Sequence, residues 1–325
     1  MLRRNPMDIT IVIPNYNGQE LLQNNLPKVF ETISAYKDGD KEIIVSDDAS
    51  FDGSIKVLEN LKLKMDSKYP DIKFKIVKNE KNLGFSSNVN KGVKEAKGEI
   101  IILLNTDVIP EKGFLNHLLK HFEDPKVFAV GCMDKSIEED KVVLRGRGLG
   151  VWKRGFLVHS RGEVNKTDTL WVSCGSGIFR KSIWDKLGGL DTLYNPFYWE
   201  DIDLSYRALK SGYKILFEPK SIVLHEHEKG SVKKKYSDSE VKTIAYRNQF
   251  IFVWKNATDL NLQLVHILWL PYHFIKSLLN RDWNFFIGFF GAFRLLPKTI
   301  ESSFKVQKLF VKRDKEILDE FINEN

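Results

Sequence analysis

The chain has 325 residues, 42% hydrophobic and 29% charged, a balance that allows one large domain or about two and excludes wholesale disorder. A net charge of +7 favours an anionic partner, whether a nucleotide, a nucleic acid or an acidic lipid surface, and composition does not choose among these. Two cysteines, Cys132 and Cys174, argue against a disulfide scaffold and suit a reducing compartment, and the first eight residues hold no apolar run of the kind a secretory signal needs.

In chain order, residues 9–13 are a β-branched run stopped by Pro14 and followed by Asn15-Tyr16-Asn17-Gly18, which predicts a strand and then a loop. A helix over 19–36 follows. The pattern repeats with a strand at 42–46, a polar loop at 47–53 and an amphipathic helix at 54–63 that aligns Ile55, Leu58 and Leu61. A third unit has a strand at 73–77, a loop at 79–84 and a helix at 85–96. The run Ile100-Ile101-Ile102-Leu103-Leu104 then reads as a strand buried on both faces, ending in Asn105-Thr106-Asp107. Strands alternating with helices predict an α/β fold with a mostly parallel central sheet flanked by helices, with three loops on one edge beside Asp107.

Beyond Pro110 the alternation loosens, with strands expected at 127–130, 170–173, 214–217 and 221–224. The Gly- and Arg-rich segment 144–150 reads as a flexible loop near a ligand or, more plainly, as an exposed connection. Lys229, Lys233, Lys234 and Lys235 form a basic patch, and residues 248–296 are dense in Phe, Trp, Leu and Ile. Pro271, His273, Lys276, Asn280, Arg281 and Asp282 divide that stretch below the ~20 apolar residues a spanning helix needs. Two readings stay open for it: an element lying in a membrane interface, with Trp269, Tyr272 and Trp283 at the headgroup level, or a helical cap on the sheet or on a second subunit.

Ligand crevices of open α/β sheets lie at the carboxyl ends of strands, so Asp107 stands where a metal-bound diphosphate would sit; a turn before Pro110 is the plainer reading. Asp47 and Asp48 end the second strand, where a carboxylate can accept the imide N–H of uracil or thymine; Asp52 and Ser54 are placed to cap the next helix. Amides and Gly84 within 79–92 can approach an anionic diphosphate at a helix start. Trp199-Glu200-Asp201 opens an acidic helix behind Phe197-Tyr198, where a carboxylate in an aromatic-walled cleft could take a proton from a sugar hydroxyl. His225, followed by Glu226 and His227, ends a further apolar strand, as a hydrogen-bonded core residue or a ligand.

Together these ordered segments resemble glycosyltransferase family 2, inverting nucleotide-sugar enzymes of the Rossmann-like GT-A fold, over roughly residues 8–231. The resemblance implies Pro14, Tyr16 and Asn17 near the nucleoside, Asp47 and Asp48 at the base, and Asn82, Gly84 and Asn90 along the nucleotide. Asn105, Thr106 and Asp107 occupy the position of the metal-binding DxD motif, with Asn105 replacing its first acid. Asp201, with Glu200, matches the acceptor-side ED motif that supplies the base, and His225 matches a late metal-binding histidine. It further implies Mn2+ or Mg2+, a UDP- or dTDP-sugar donor, and transfer of a hexosyl or rhamnosyl group to a glycan or lipid-linked acceptor in cell-surface polysaccharide synthesis, in the cytoplasm or at the inner face of the cell membrane. Residues 1–235 are then the catalytic domain, and 236–325 an aromatic-rich helical extension that is membrane-peripheral or oligomerising. The rival readings are a non-catalytic nucleotide-sugar-binding or scaffold protein and a nucleotidyltransferase; the latter lacks its Gly-rich loop and Lys after the first strand. No nucleic-acid reading module is present.

Overall fold

Strands buried at every residue set the architecture. The computed structural model describes residues 7–138, 141–225 and 235–321. In it β1 (Ile9–Asn15) and β2 (Lys41–Asp47) have no exposed position, whereas β3 (Ile72–Lys78) exposes Lys73, Lys75 and Lys78 at the sheet edge. Edge lysines discourage pairing with another chain. β4 (Ile100–Leu103) is again wholly buried. These four pair in parallel in the order β3-β2-β1-β4, connected by α1 (Gln19–Ser34), α2 (Ser54–Lys68) and α3 (Phe85–Glu95). Alternation of side chains divides the core in two: Ile9, Ile11 and Ile13 pack with Leu22 of α1 and Leu58 of α2, while Val12 packs with Val89 and Val93 of α3.

The rest of the sheet is mixed. It comprises β5 (Val108–Pro110), β6 (Val127–Glu138) and β7 (Lys141–Arg145), then β10 (Gly177–Arg180) and β11 (Lys214–His225) after a separate hairpin of β8 (Gly148–Lys153) and β9 (Phe156–Arg161). The order continues β4-β10-β6-β11-β5, with β10 antiparallel to both neighbours and β7 paired to β6. Helices α4 (Leu115–His121), α5 (Lys181–Leu187) and α6 (Glu200–Lys210) flank it. The carboxyl ends of β1, β2 and β4 therefore open on one edge, as the alternation predicts.

Three expectations are corrected. Residues 170–173 form no strand, because side chains take over the role of a ladder: Val172 N donates to Ser205 Oγ at 3.0 Å and Thr169 Oγ1 to Trp171 O at 2.8 Å. The segment 144–150 is not an exposed loop; it carries the end of β7 and the start of β8. Arg147 there is buried, its Nε donating to Asp168 O at 2.6 Å. Residues 214–217 and 221–224 belong to the one strand β11, with a register shift between Glu218 and Ile222. The N-cap of α2 is Gly53, which has no side chain to cap with; Asp52, expected as a cap, stands one residue earlier and accepts from Ser54 N at 2.9 Å through Oδ1, while the Ser54 hydroxyl has no partner among the described residues.

Beyond 235 the chain is helical: α7 (Asp238–Asn256), α8 (Leu260–Leu279), α9 (Trp283–Arg294), α10 (Leu296–Gln307) and α11 (Asp314–Asp319). Phe250, Phe252, Phe285, Ala292 and Ile317 share one hydrophobic cluster with Trp184 and Leu204, so α7, α9 and α11 pack on the sheet domain. Lys229, Lys233, Lys234, Glu226 and His227 lie outside the described residues.

Candidate active site

A cleft of about 470 Å³ opens at the carboxyl ends of β1, β2 and β4. Pro14, Tyr16, Asp48, Asn82 and Gly84 line one side, and Asn105, Thr106, Asp107 and His225 form another. Asp48 organises the first side. Its Oδ1 accepts from Asn79 Nδ2 at 2.8 Å and Leu83 N at 2.9 Å, and its Oδ2 from Gly84 N at 2.9 Å. Those bonds fold residues 79–84 over the cleft edge. Gly84 has φ +87°, and a Cβ there would stand 2.8 Å from the Asn195 side chain, so only glycine fits this turn.

Opposite, Asp107 Oδ2 stands 3.4 Å from His225 Nε2. β11 pairs antiparallel with β5, with His225 opposite Val108, and this register brings a residue 118 positions away beside Asp107. His225 Nδ1 lies 2.8 Å from Asp134 Oδ2, and Asp134 Oδ1 accepts from Ser136 Oγ at 3.0 Å. Burial alone would lower the imidazole pKa, but Asp107 and Asp134 outweigh it and raise it to about 9. An imidazole whose Nδ1 is held by a carboxylate presents Nε2 in fixed orientation, the usual arrangement behind a metal-bound histidine. Among the described residues no group of three or more His, Cys, Asp or Glu is arranged to hold a metal ion. Two hard or borderline donors with a buried carboxylate behind one of them fit a divalent cation that takes its remaining ligands from substrate oxygens and water.

The acid pair lies alongside. Phe197 and Tyr198 line the cleft, and the chain passes through left-handed backbone at Tyr198 (φ 70°) and Trp199 (φ 74°) before α6 begins at Glu200. Two consecutive bulky residues with positive φ store strain that surrounding contacts must hold. Asn248 of α7 holds it here, its Nδ2 donating to the carbonyls of Tyr194, Phe197 and Tyr198 at 3.1, 2.9 and 2.8 Å. Asp201 Oδ1 accepts from Ile202 N at 2.8 Å, and burial pushes the Asp201 carboxyl up to about 6. Burial first, then the neighbouring Asp201, pushes Glu200 well above the usual carboxylate range, and Glu200 Oε2 has no hydrogen-bond partner among the described residues. Burial first, then the nearby charges of Asp201 and Glu200, raises the Cys174 thiol pKa, and the next residue, Gly175, accepts from Asn105 N at 2.9 Å. The acid pair thus borders the turn on which Asn105 rests.

The family profile described as Glycosyl transferase family 2 matches residues 10–188, more than half the sequence. The chain belongs to glycosyl transferase family 2. Poly-beta-1,6-N-acetyl-D-glucosamine synthase of Staphylococcus aureus is 26% identical to this family 2 chain over 217 residues, covering 65% of the chain and 48% of the synthase. The chain spans about half the length of the curated relatives it matches. Among solved structures, GalNAc-T7 with UDP, GalNAc and Mn2+ aligns with TM-score 0.61 and 18% identity over 78% of this chain and 48% of that one. S. aureus TarS 1-349 in complex with UDP-GlcNAc aligns with TM-score 0.58 and 16% identity over 94% and 84%. The fold is the GT-A fold.

Within this family 2 fold, the residues singled out from sequence divide into three groups. Pro14, Tyr16, Asp48, Asn82, Gly84, Asn105, Thr106, Asp107 and His225 meet at one cleft. Asp201 and Glu200 border it without lining it. Asp47, Asn17 and Asn90 are occupied elsewhere. Asp47 Oδ2 accepts from Asn15 Nδ2 at 2.7 Å and Ser50 Oγ at 2.6 Å, Asn17 Oδ1 accepts from Phe51 N at 3.0 Å, and Asn90 exchanges hydrogen bonds with the backbone of Leu190 at 2.7 and 2.9 Å. Sequence reasoning missed Asp134, which stands behind His225, and named Arg145 only within the segment 144–150, where it lines the cleft. Both sit on β6 and β7, whose pairing carried no sequence signal. Lys235, read only as part of a basic patch, lines the cleft with Nζ 4.5 Å from the Tyr16 ring centre.

Proposed function

We propose that the chain is an inverting glycosyltransferase. It moves a hexosyl or rhamnosyl group from a nucleoside-diphosphate sugar, UDP or dTDP, to a hydroxyl of a glycan or lipid-linked acceptor in cell-surface polysaccharide synthesis at the cytoplasmic face of the membrane. The observation that carries this reading is the single cleft that sets Asp107 against His225 and borders a carboxyl pushed up to about 6. The nucleoside occupies the side built by Pro14, Tyr16, Asp48 and the 79–84 turn. Tyr16 offers a ring face, and Lys235 and Arg145 offer positive charge to the diphosphate.

Asp107 and His225 are the residues that would hold a divalent metal, Mn2+ or Mg2+, which when bound neutralises charge on the departing diphosphate. Asn105 removes one negative charge from that site and can accept a bond from a water or a sugar hydroxyl through its carbonyl. Asp201 takes the proton of the acceptor hydroxyl as it attacks the anomeric carbon from the side opposite the leaving group, which inverts the configuration there. Burial raises the Asp201 pKa and so makes its carboxylate a stronger base.

A thermal-shift panel tests donor and metal together. UDP or dTDP with Mn2+ should stabilise the protein by about 2.7 kcal/mol at a hundredfold excess over Kd. The gain should disappear in EDTA and in Asp107→Ala. A shift of equal size with EDTA would remove the metal from the reading, and no shift with any nucleoside diphosphate would remove the donor.

The raised Asp201 pKa sets an acid limit. Burial makes the carboxyl keep its proton to higher pH than a free aspartate, so the fraction competent as a base falls as pH drops through about 6. The profile of kcat/KM should lose about tenfold per pH unit below that midpoint, with the apparent value belonging to the Glu200–Asp201 pair. A flat profile down to about pH 4.5, near the ordinary carboxylate range, would exclude Asp201 as the base.

A further inference from the structure

Besides the apolar residues they pack on the domain, among them Leu270, Phe274 and Phe285, helices α8 and α9 carry a second apolar face turned outward. In α8 the buried residues are His266 and Ser277, while Leu260, Leu264, Ile267, Leu268, Ile275 and Leu279 form an exposed stripe at i, i+4, i+7, i+8, i+15 and i+19. Leu268 is 75% and Leu279 77% exposed. α9 continues the surface with Trp283, Ile287, Phe290 and Phe293, each more than half exposed, while Gly288 and Ala292 face inward against the domain. An exposed apolar patch spanning two helices marks an interaction surface. No helix among the described residues is long and apolar enough to cross a membrane.

Charge decides what covers this surface. Between residues 260 and 300 the chain carries Lys276, Arg281, Arg294 and Lys298 against the single carboxylate Asp282, which Lys242 already engages at 2.9 Å. Arg154 lies over the rings of Trp269 and Tyr272 at 5.6 and 5.0 Å, at the edge of the stripe. Beside it a pocket of about 290 Å³ gathers Lys153, Arg154, His273 and Lys276, with one carboxylate, Asp282, on its wall, where it accepts from Tyr246 OH at 2.8 Å and pairs with Lys242. Pairing this face with a second copy about a two-fold axis would set like cations against one another. An anionic bilayer presents phosphates to the cations and hydrocarbon to the leucines at once, with tryptophan and tyrosine suited to the boundary.

We propose that the α8–α9 face docks in the plane of an anionic phospholipid surface, with the Lys153, Arg154, His273 and Lys276 pocket receiving lipid phosphate. The hairpin carrying that pocket also reaches the residue that precedes the acid pair: Phe156 and Val158 of β9 line the pocket, and the next residue, His159, meets the Trp199 ring at 5.3 Å. The docked face therefore presents a membrane-borne acceptor along β9 toward Asp201, which deepens the lipid-linked acceptor named above and rests on it for that step alone.

Flotation of the full chain with phosphatidylcholine vesicles, with and without phosphatidylglycerol, tests the surface without turnover. The protein should float with the anionic vesicles at low salt and lose that association as salt rises. The Leu268→Glu/Leu279→Glu double variant should bind on the order of tenfold more weakly while keeping the UDP-dependent thermal shift of the parent. Trp269 and Trp283 should be quenched by brominated lipid in the parent and not in the variant. A parent that stays in the soluble fraction, a variant that floats equally well, or a parent dimer that the variant turns into a monomer without vesicle binding overturns the proposal. Loss of all donor effects with flotation intact would overturn the transferase reading instead.

Discussion

Replacing Asp201 with asparagine should lower kcat by about 10²–10⁴-fold while leaving donor affinity unchanged. Asparagine keeps the shape, and its Oδ1 can still accept from Ile202 N as the aspartate does at 2.8 Å. What it loses is the ability to take a proton. The donor cleft is lined by other residues, so nucleotide-induced stabilisation should persist. Glu200→Gln provides the contrast. Burial first, then Asp201, pushes Glu200 toward its protonated form, which an amide mimics, so the substitution should cost less than tenfold. Single-turnover rates for both variants, with donor binding measured alongside, check the assignment. Equal losses at the two positions, or unchanged turnover in Asp201→Asn, would reject Asp201 as the base.

The largest effect on stability should come from Lys255→Met. Lys255 Nζ in α7 lies 2.7 Å from Asp191 and 2.8 Å from Asp203, and it is fully buried with Asp203. Asp203 also accepts from Arg207 Nε at 2.7 Å, Asn256 Nδ2 at 2.8 Å and Tyr194 OH at 3.0 Å. Burial would raise the Asp203 pKa, but Arg207 and Lys255 hold it below the ordinary value. Removing one member leaves buried negative charge facing too little positive charge, which typically costs about 3–5 kcal/mol. Urea unfolding should show that loss as a lower midpoint with an unchanged slope. The same network sets the acid side of stability. Asp203 and Asp191 have folded pKa values below their unfolded ones, so their contribution is complete above the unfolded carboxylate value and is lost as pH falls through the folded value. Because Asp203 lies two residues after Asp201 on α6, the variant should also lose turnover beyond what unfolding explains. A midpoint within error of the parent would show that the network is not a brace.

That network marks where legibility stopped. Period and punctuation read the first half of the chain closely. Residues 9–13 and 42–46 are rich in β-branched side chains and 100–104 is too apolar for anything but a strand covered on both faces, and the polar residues that end each run had to fall on one edge once the sheet was parallel. Asp48, Asn82, Gly84, Asn105 and Asp107 follow from that local logic. The second half resisted for a physical reason. Residues 170–173 are apolar enough to read as a strand, but Val172 N and Trp171 O bond the hydroxyls of Ser205 and Thr169, and nothing local distinguishes a ladder from a hydroxyl as partner. The merger of two short runs into β11, and with it the approach of His225 to Asp107, depends on long-range register.

By itself, then, the sequence determined the α/β class, the parallel run of strands and the edge where the cleft opens, because each rests on patterns a few residues long. Tertiary structure alone decided that Asp47, Asn17 and Asn90 spend their polar atoms on the scaffold. It also decided that Asp134 backs His225, and that Asn248 and Lys255 of the C-terminal helices brace the loop and helix bearing Asp201. Hydrogen-bond partners many tens of residues apart are chosen by packing and register, and a buried lysine reads in sequence like any exposed one.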